Sequence, residues 1–318
     1  MRILLLVQDE QRVILDELYE AIVAAAGEGE IRRLNSAQQA DLRSYFKNVD
    51  VTAYERIVLF LRFKKEIRQR RFLRALPRLV FLEHDAYQNY IPGKYQGAFS
   101  KHYAALPWVR VISSGFLVVE HLRAEGIDAA FVPKGYDQQA MCNRSLPRDI
   151  ELAFLGSIQN QAYDGRRSFL EALAEREKLL VTRTKSGEEY VEMLNRIRFF
   201  VSADVGMGEY MIKNFEAMAC GCMLFAFDQG DAENTALGLQ DMHNVVLYRN
   251  LDDCQAKLQR LRADPELADS IAAAGCALAQ ARFGYDSIAR AIADALQPPL
   301  RKPVIRRLLG FPYSVGWE

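Results

Sequence analysis

Short, largely apolar runs that stop at polar residues recur along this chain, separated by stretches with helical spacing. Residues 3–7 (ILLLV), 57–61 (IVLFL), 79–82 (LVFL) and 109–114 (VRVISS) are such runs in the first half. A run that is apolar at consecutive positions shows side chains to both faces of a sheet and needs cover on both. Helices flanking a parallel sheet supply that cover. After the first run, Val13, Ile14, Leu18, Ile22 and Val23 return at helical spacing. Ser113 or Ser114 is placed to cap a helix running through Leu122. The second half repeats the alternation. Residues 151–155, 199–202, 223–227 and 244–248 read as strands, and 168–180 and 214–219 as helices. Helices from Asp252 to about Leu296 close the series. Alternation of this kind predicts an α/β fold with parallel sheets.

At 318 residues the chain suits two domains of about 150 residues each. The polar stretch 134–150, with Gly135 and Pro147, is the expected junction. The domains are then 1–134 and 135–297, followed by a basic tail, 298–318, predicted to cross back to the first domain. Lys+Arg and Asp+Glu balance at 41 each, which argues against a nucleic-acid partner. The five cysteines (Cys142, Cys220, Cys222, Cys254, Cys276) form no CxxC pair, so neither a disulfide framework nor a zinc site is implied. The apolar run near the N-terminus is too short for a signal peptide, and none approaches a membrane span. A cytoplasmic protein is expected, peripheral at most at the inner face of the membrane.

The stretch from Lys213 to Phe227 (KNFEAMACGCMLFAF) carries the most chemistry. A carboxylate, Glu216, opens a short helix, Gly221 suits the left-handed position that ends it, and a buried strand follows. The helix start offers free N–H groups and partial positive charge, which suit a diphosphate, and Glu216 suits ribose hydroxyls. A plain helix–strand junction with a first-turn carboxylate reads equally well.

The ordered pieces of the chain resemble the group 1 glycosyltransferases of the GT-B fold, in the short branch similar to spore-maturation glycosyltransferase-like proteins. His84-Asp85, Ser113-Ser114-Gly115, the Pro133-x-Gly135-x-Asp137 junction, Phe154-Leu155-Gly156-Ser157, Phe215 to Gly221, Asp264-Pro265, Ala274-Gly275 and Phe283-Gly284-Tyr285 carry the resemblance. It implies two Rossmann-like domains whose parallel sheets face a central cleft. It also implies transfer of a sugar from a nucleotide-sugar, the co-substrate, to a hydroxyl of a glycan, lipid-linked or small-molecule acceptor, in a cell-envelope polysaccharide setting. No other cofactor is implied. Gly156 and Ser157 would lie against the donor phosphates, Glu216 would hold the ribose, and the backbone at Lys213 and Asn214 would meet the diphosphate. Fixed cations stabilise a leaving diphosphate as its charge develops. Arg166 or Arg167, Lys185 and Lys213 are the choices, and each alone also reads as a solvated surface cation.

The family often shows two glutamates seven residues apart. Counting back from Glu216 gives Gly208, with Glu209 one place late. Either the loop bulges to restore Glu209 to the donor, or Glu209 does something else. His84 and Asp85 follow a strand, at the carboxyl end where open α/β sheets bind ligands. The imidazole suits a base on the acceptor hydroxyl or a partner for the sugar, and Asp85 suits orienting it or acting as the base itself. A hydrogen-bonded histidine at a strand end is the plainer reading, and His102, His121 and His243 read as structural.

The aromatic loop with Tyr87, Tyr90, Tyr95, Phe99, Tyr103 and Trp108 suits stacking on an acceptor sugar or simple packing. The basic stretch 62–78, with Arg301, Lys302, Arg306 and Arg307, suits anionic lipid, a phosphorylated acceptor or a solvated face. No Asp-x-Asp triplet occurs, so no metal site is expected and protein cations would do that work. The Cys220–Cys222 pair reads as packing. A second reading keeps the fold without catalysis, as a nucleotide-sugar-binding or assembly protein. The displaced glutamate and the glycine-poor turn Gln8-Asp9-Glu10 favour it. An epimerase would need further carboxylates.

Overall fold

A computed structural model describes residues 1–10, 15–158, 164–308 and 311–317, with residues 303–308 and 311–317 as backbone. Val13 and Ile14 of the expected first helix, and the side chains of Arg306 and Arg307, lie outside the described residues. The first sheet has six parallel strands: β1 (Arg2–Gln8), β2 (Glu28–Leu34), β3 (Arg56–Phe60), β4 (Leu79–Glu83), β5 (Arg110–Ser113) and β6 (Asp128–Phe131), in the order β2-β1-β3-β4-β5-β6. The second has five: β7 (Ile150–Leu155), β8 (Leu180–Thr182), β9 (Ile197–Ser202), β10 (Met223–Phe227) and β11 (Val246–Tyr248), in the order β11-β10-β9-β7-β8. An antiparallel pair, β12 (Pro303–Leu308) and β13 (Phe311–Trp317), ends the chain. The fold is α/β with two parallel sheets.

The apolar runs became the inner strands because both their faces are covered. Ile3 to Val7 are fully buried, and β4 is buried along its whole length. Strand β2 (EGEIRRL) was not foreseen. It lies at the sheet edge and keeps its charged side chains partly exposed, so it has no apolar run to find.

The second domain hands the chain back to the first before the tail. Helix Tyr285–Leu296 buries Tyr285, Ile288, Ala289, Ile292, Ala293 and Leu296 on one stripe. That stripe joins Leu18, Tyr19 and Ile22 of helix Asp16–Ala26 and Ile3, Leu5 and Val7 of β1 in one apolar cluster. Each large side chain so buried contributes on the order of 1.5–3 kcal/mol. The returning chain is then tied by two arginines of the first sheet. Arg56 donates to the carbonyls of Leu296 and Pro298 at 2.9 and 3.1 Å, and Arg110 to those of Ala295 and Pro298 at 3.1 and 3.0 Å. In the tail, Arg301 donates to the Gly126 carbonyl at 2.6 Å.

The outgoing and returning crossings run side by side. Tyr136 N–H donates to the Phe283 carbonyl at 2.9 Å, and Tyr285 N–H to the Tyr136 carbonyl at 3.0 Å. A Cβ at Gly135 would come within 2.5 Å of Ile288 and 2.7 Å of the Phe283 carbonyl, so this contact needs glycine.

Candidate active site

The carboxyl ends of the two sheets face one cleft of about 930 Å³. Its first-domain wall is built by Gln8 at the end of β1, Phe60 and Arg62 at β3, and Glu83, His84 and Asp85 at β4, with Lys134 beyond β6. The second-domain wall is Ser157, Arg166 and Met211 to Lys213. A second pocket of about 320 Å³ shares Ile212 and Lys213 with the cleft and runs to Gly156, Lys185, Tyr190, Glu216 and Tyr285. The two form one groove with Lys213 at the join.

Helix Ile212–Ala219 organises the second-domain wall. Its C-terminus closes with Gly221 at φ 77°, whose N–H donates to Met218 while Cys222 N–H donates to Ala217, a Schellman closure. Cys220 and Cys222 are buried in the core, where Cys222 Sγ donates to the Leu194 carbonyl at 3.0 Å. At the other end, Ile212 and Lys213 carry first-turn N–H groups that lack an intrahelical partner. Asn214 N–H is already bonded to the Met211 carbonyl at 3.0 Å, and its side chain donates to Asp204 at 2.9 Å. Asn214 thus supports the loop and is not brought to the cleft.

Glu216 accepts a hydrogen bond from Tyr190 Oη at 2.7 Å, and both line the smaller pocket. Burial pushes the Glu216 carboxyl up, while Tyr190 and Lys213 oppose that shift. Lys185, exposed on the 183–187 loop, lines this pocket and not the main cleft. Gly156, at φ 150°, lets the chain pass Lys213: a Cβ there would collide with the ammonium.

Lys213 and Arg166 form the cationic wall. Lys213 Nζ donates to the Leu155 carbonyl at 2.8 Å. Burial, then Arg166, lower its pKa to about 8. Arg166 is buried and paired with Asp204, a carboxylate that sequence reasoning missed. Asp204 also accepts from Ser202 Oγ at 3.0 Å and from Met211 N–H at 3.3 Å. Its pKa is lowered, as Arg166 and Lys213 outweigh burial. One buried acid thereby fixes both the guanidinium and the start of the helix. Arg167 turns to Asp164 instead.

Across the cleft, His84 packs edge-on against Phe60, with centroids 4.9 Å apart. Burial, with Lys134 nearby, pulls its pKa down to about 3, so the imidazole is neutral. Asp85 lines the cleft, where loss of solvent between the cleft walls raises its carboxyl, against the pull of Lys134 and a hydrogen bond from Gln88. Glu83 behind it is held well above the usual carboxylate range by burial and by Asp85, and accepts the Asp85 N–H at 2.7 Å.

Glu209 does not line the cleft. It is fully buried, paired with Lys134, and accepts from Ser114 Oγ at 3.3 Å. Of the two roles the sequence left open for Glu209, a donor carboxylate or something else, the structure has it tying the two domains together. Ser114 is consequently drawn to Glu209 and not to the following helix, Phe116–Ala124, which has no side-chain cap of its own. Glu233 of the second domain accepts the Leu117 N–H of that helix at 2.9 Å. These pairings are tertiary and leave no local signal.

Most of the aromatic loop packs inward: Tyr87, Phe99 and Tyr103 are buried, and Tyr95 and Phe99 reach the cleft wall. His102 is a structural partner of Glu66 at 2.8 Å. Among the described residues no group of three or more His, Cys, Asp or Glu side chains is placed to hold a metal ion. Among them too, no helix is long and apolar enough to cross a membrane.

Residues 144–294 match the family model for glycosyl transferase-like proteins. No curated protein matches the chain in sequence. Its structure is similar to HepE of Anabaena in complex with UDP and glucose, with TM-score 0.69 and 13% identity over 93% of this chain and 99% of that one. It is similar to a glycosyltransferase from Rickettsia africae, with TM-score 0.62 and 11% identity over 93% and 97%. T4 phage β-glucosyltransferase in complex with UDP-glucose matches with TM-score 0.60 and 12% identity over 94% and 100%. The chain therefore has the GT-B fold over some nine-tenths of its length, and residues 144–294 match the glycosyl transferase-like family model.

Proposed function

We propose that this chain is a glycosyltransferase that takes its sugar from a nucleotide-sugar of the uridine diphosphate class. The sugar goes to a hydroxyl of a glycan, lipid-linked or small-molecule acceptor. The observation that carries the reading is the continuous groove from Glu216 past Lys213 and Arg166 to His84 and Asp85. HepE and T4 β-glucosyltransferase, of similar fold, hold UDP or UDP-glucose. In this reading the ribose hydroxyls meet Glu216, with Tyr190 orienting the carboxylate. Gly156, Ser157 and the first N–H groups of helix Ile212–Ala219 meet the diphosphate.

The acceptor oxygen bonds to the anomeric carbon and its proton passes to Asp85. The bond from that carbon to the phosphate oxygen breaks, and its electron pair leaves on the nucleoside diphosphate. Lys213 and Arg166 stabilise that departing charge. Asp85 is the better base because its raised pKa lies nearer neutrality than that of His84. His84 then serves as a neutral hydrogen-bonding partner of the sugar or acceptor.

The basic segment 62–78 supports peripheral contact with an anionic membrane from the cytoplasmic side, with Arg68 and Arg71 exposed. A cell-envelope polysaccharide is the setting proposed for the product. Release of UDP from UDP-glucose, followed with wild type and Lys213→Ala, tests the assignment. Release that is independent of Lys213 would remove it.

A further inference from the structure

Lys213 and Arg166 supply cations on one wall of the cleft, and the opposite wall carries a second pair. Strands β1 and β3 are neighbours, and their carboxyl ends bring Gln8 and Arg62 together. Arg62 Nε donates to Gln8 Oε1 at 2.9 Å, and one terminal nitrogen donates to the Glu10 carbonyl at 3.0 Å. Both partners are neutral, so the guanidinium is oriented without being neutralised. A guanidinium has five N–H donors, and these two bonds leave others available. Lys64, two positions on, also lines the cleft and is exposed. Neither cation has a carboxylate partner among the described residues.

The turn that carries them is anchored in the core. Phe63, between the two, is buried and stacked on Phe99, with centroids 3.6 Å apart and planes at 11°. The carboxyls along the same wall do not cancel the charge. Burial and Asp85 hold the Glu83 carboxyl well above the usual carboxylate range, Asp85 already faces Lys134, and the exposed Glu10 forms no ion pair with Arg62 or Lys64 among the described residues, giving Arg62 its backbone carbonyl. Strand β3 is next to β4, so this positive end adjoins the end that carries Asp85.

We infer that Arg62 and Lys64 form a seat for an anionic group of the acceptor, a phosphate or diphosphate ester. The inference rests on the transferase reading of the cleft and names the acceptor's chemistry. A donor diphosphate is served by the other wall, and a second fixed pair calls for a second anion. The guanidinium fork suits two phosphate oxygens at once, and the ammonium adds a point charge. An acceptor held this way turns its hydroxyl toward the neighbouring Asp85.

The test is a calorimetric titration of the full chain in two stages. UDP is added to saturation, then inorganic pyrophosphate. Wild type is expected to bind one further equivalent. Lys64→Gln weakens this binding and Arg62→Gln/Lys64→Gln weakens it at least about tenfold, with UDP affinity unchanged. Lys64 is exposed, so its variant keeps the seat testable even where the double variant folds poorly. A second arm uses phosphatidylcholine vesicles with and without farnesyl diphosphate. Binding in solution that falls in the variants assigns the seat to a soluble phosphorylated acceptor. Recruitment only to the farnesyl diphosphate vesicles, lost in the variants, assigns it to a lipid headgroup. No binding in either arm, or binding by Lys64→Gln and the double variant equal to that of wild type, overturns the seat. Failure of UDP to bind would instead remove the donor reading, and the seat is then judged by the same variants without nucleotide.

Discussion

Lys213 and Arg166 share one aromatic ring: Lys213 Nζ lies 4.7 Å and Arg166 Cζ 5.6 Å from the centroid of Phe154. Two like charges are held together there because Asp204 pairs with Arg166 and the ring's negative face receives both. The arrangement leaves Lys213 without a carboxylate partner of its own among the described residues, and so available to a diphosphate. Lys213→Ala should lower kcat by about 10²–10³, the usual cost of losing one stabiliser of transition-state charge. Steady-state rates of UDP release check this, and a wild-type kcat would move the leaving-group role elsewhere.

The pKa of about 8 at Lys213 makes donor affinity pH-dependent. A diphosphate prefers the charged ammonium, which predominates below that value and is lost above it. Affinity should therefore be flat up to about pH 8 and fall by up to about tenfold per pH unit beyond. Lys213→Arg should flatten the profile, since a guanidinium stays charged. UDP titrations at about pH 7 and about pH 9.5 decide it, and equal losses in both proteins would contradict the assignment.

Asp85 and His84 separate in their pH signatures. The raised Asp85 carboxyl is protonated as pH falls, so kcat should decline on the acid side with Asp85→Asn removing most activity. His84 is neutral well below neutrality and adds no limb near pH 6 to 7. His84→Gln should keep the acid limb at a lower rate. A pH–rate profile of His84→Gln that lacks the limb would make His84 the base.

The Lys134–Glu209 pair is a stability prediction. Both groups are buried, so removing one strands the other, at a cost of about 3–5 kcal/mol. Glu209→Leu and Lys134→Met should each lower the melting temperature sharply. The double variant, which strands no charge, should lose less than the sum of the two. Additive losses, measured by chemical denaturation, would show that the two groups act independently.

The features legible in the sequence were those that a local pattern records. Residues 223–227 announce a buried strand by five consecutive apolar side chains, and the structure has β10 over Met223–Phe227. Gly221 announces a helix end because few other residues accept φ 77°. Strand β2 was hidden because an edge strand keeps polar side chains. Helix Tyr285–Leu296 shows its apolar stripe locally, but nothing local says that the stripe meets Leu18 and Ile22. Asp204 looks like any loop acid until Arg166 closes on it, 38 residues away in sequence. Glu209 stands close to the spacing of a donor carboxylate, and only the fold brings Lys134 and Ser114 to it.

The groove from Glu216 to Asp85 is proposed to hold a uridine diphosphate sugar. The most direct measurement is a thermal-shift comparison of wild type and Glu216→Ala against UDP-, GDP-, ADP-, dTDP- and CMP-sugars. A ligand at a hundred times its dissociation constant stabilises the native state by about 2.7 kcal/mol, well within reach of the method. The expected result is a clear upward shift with the UDP-sugar in wild type and a much smaller one in Glu216→Ala. No shift with any nucleotide sugar, or the same shift in both proteins, would contradict the account.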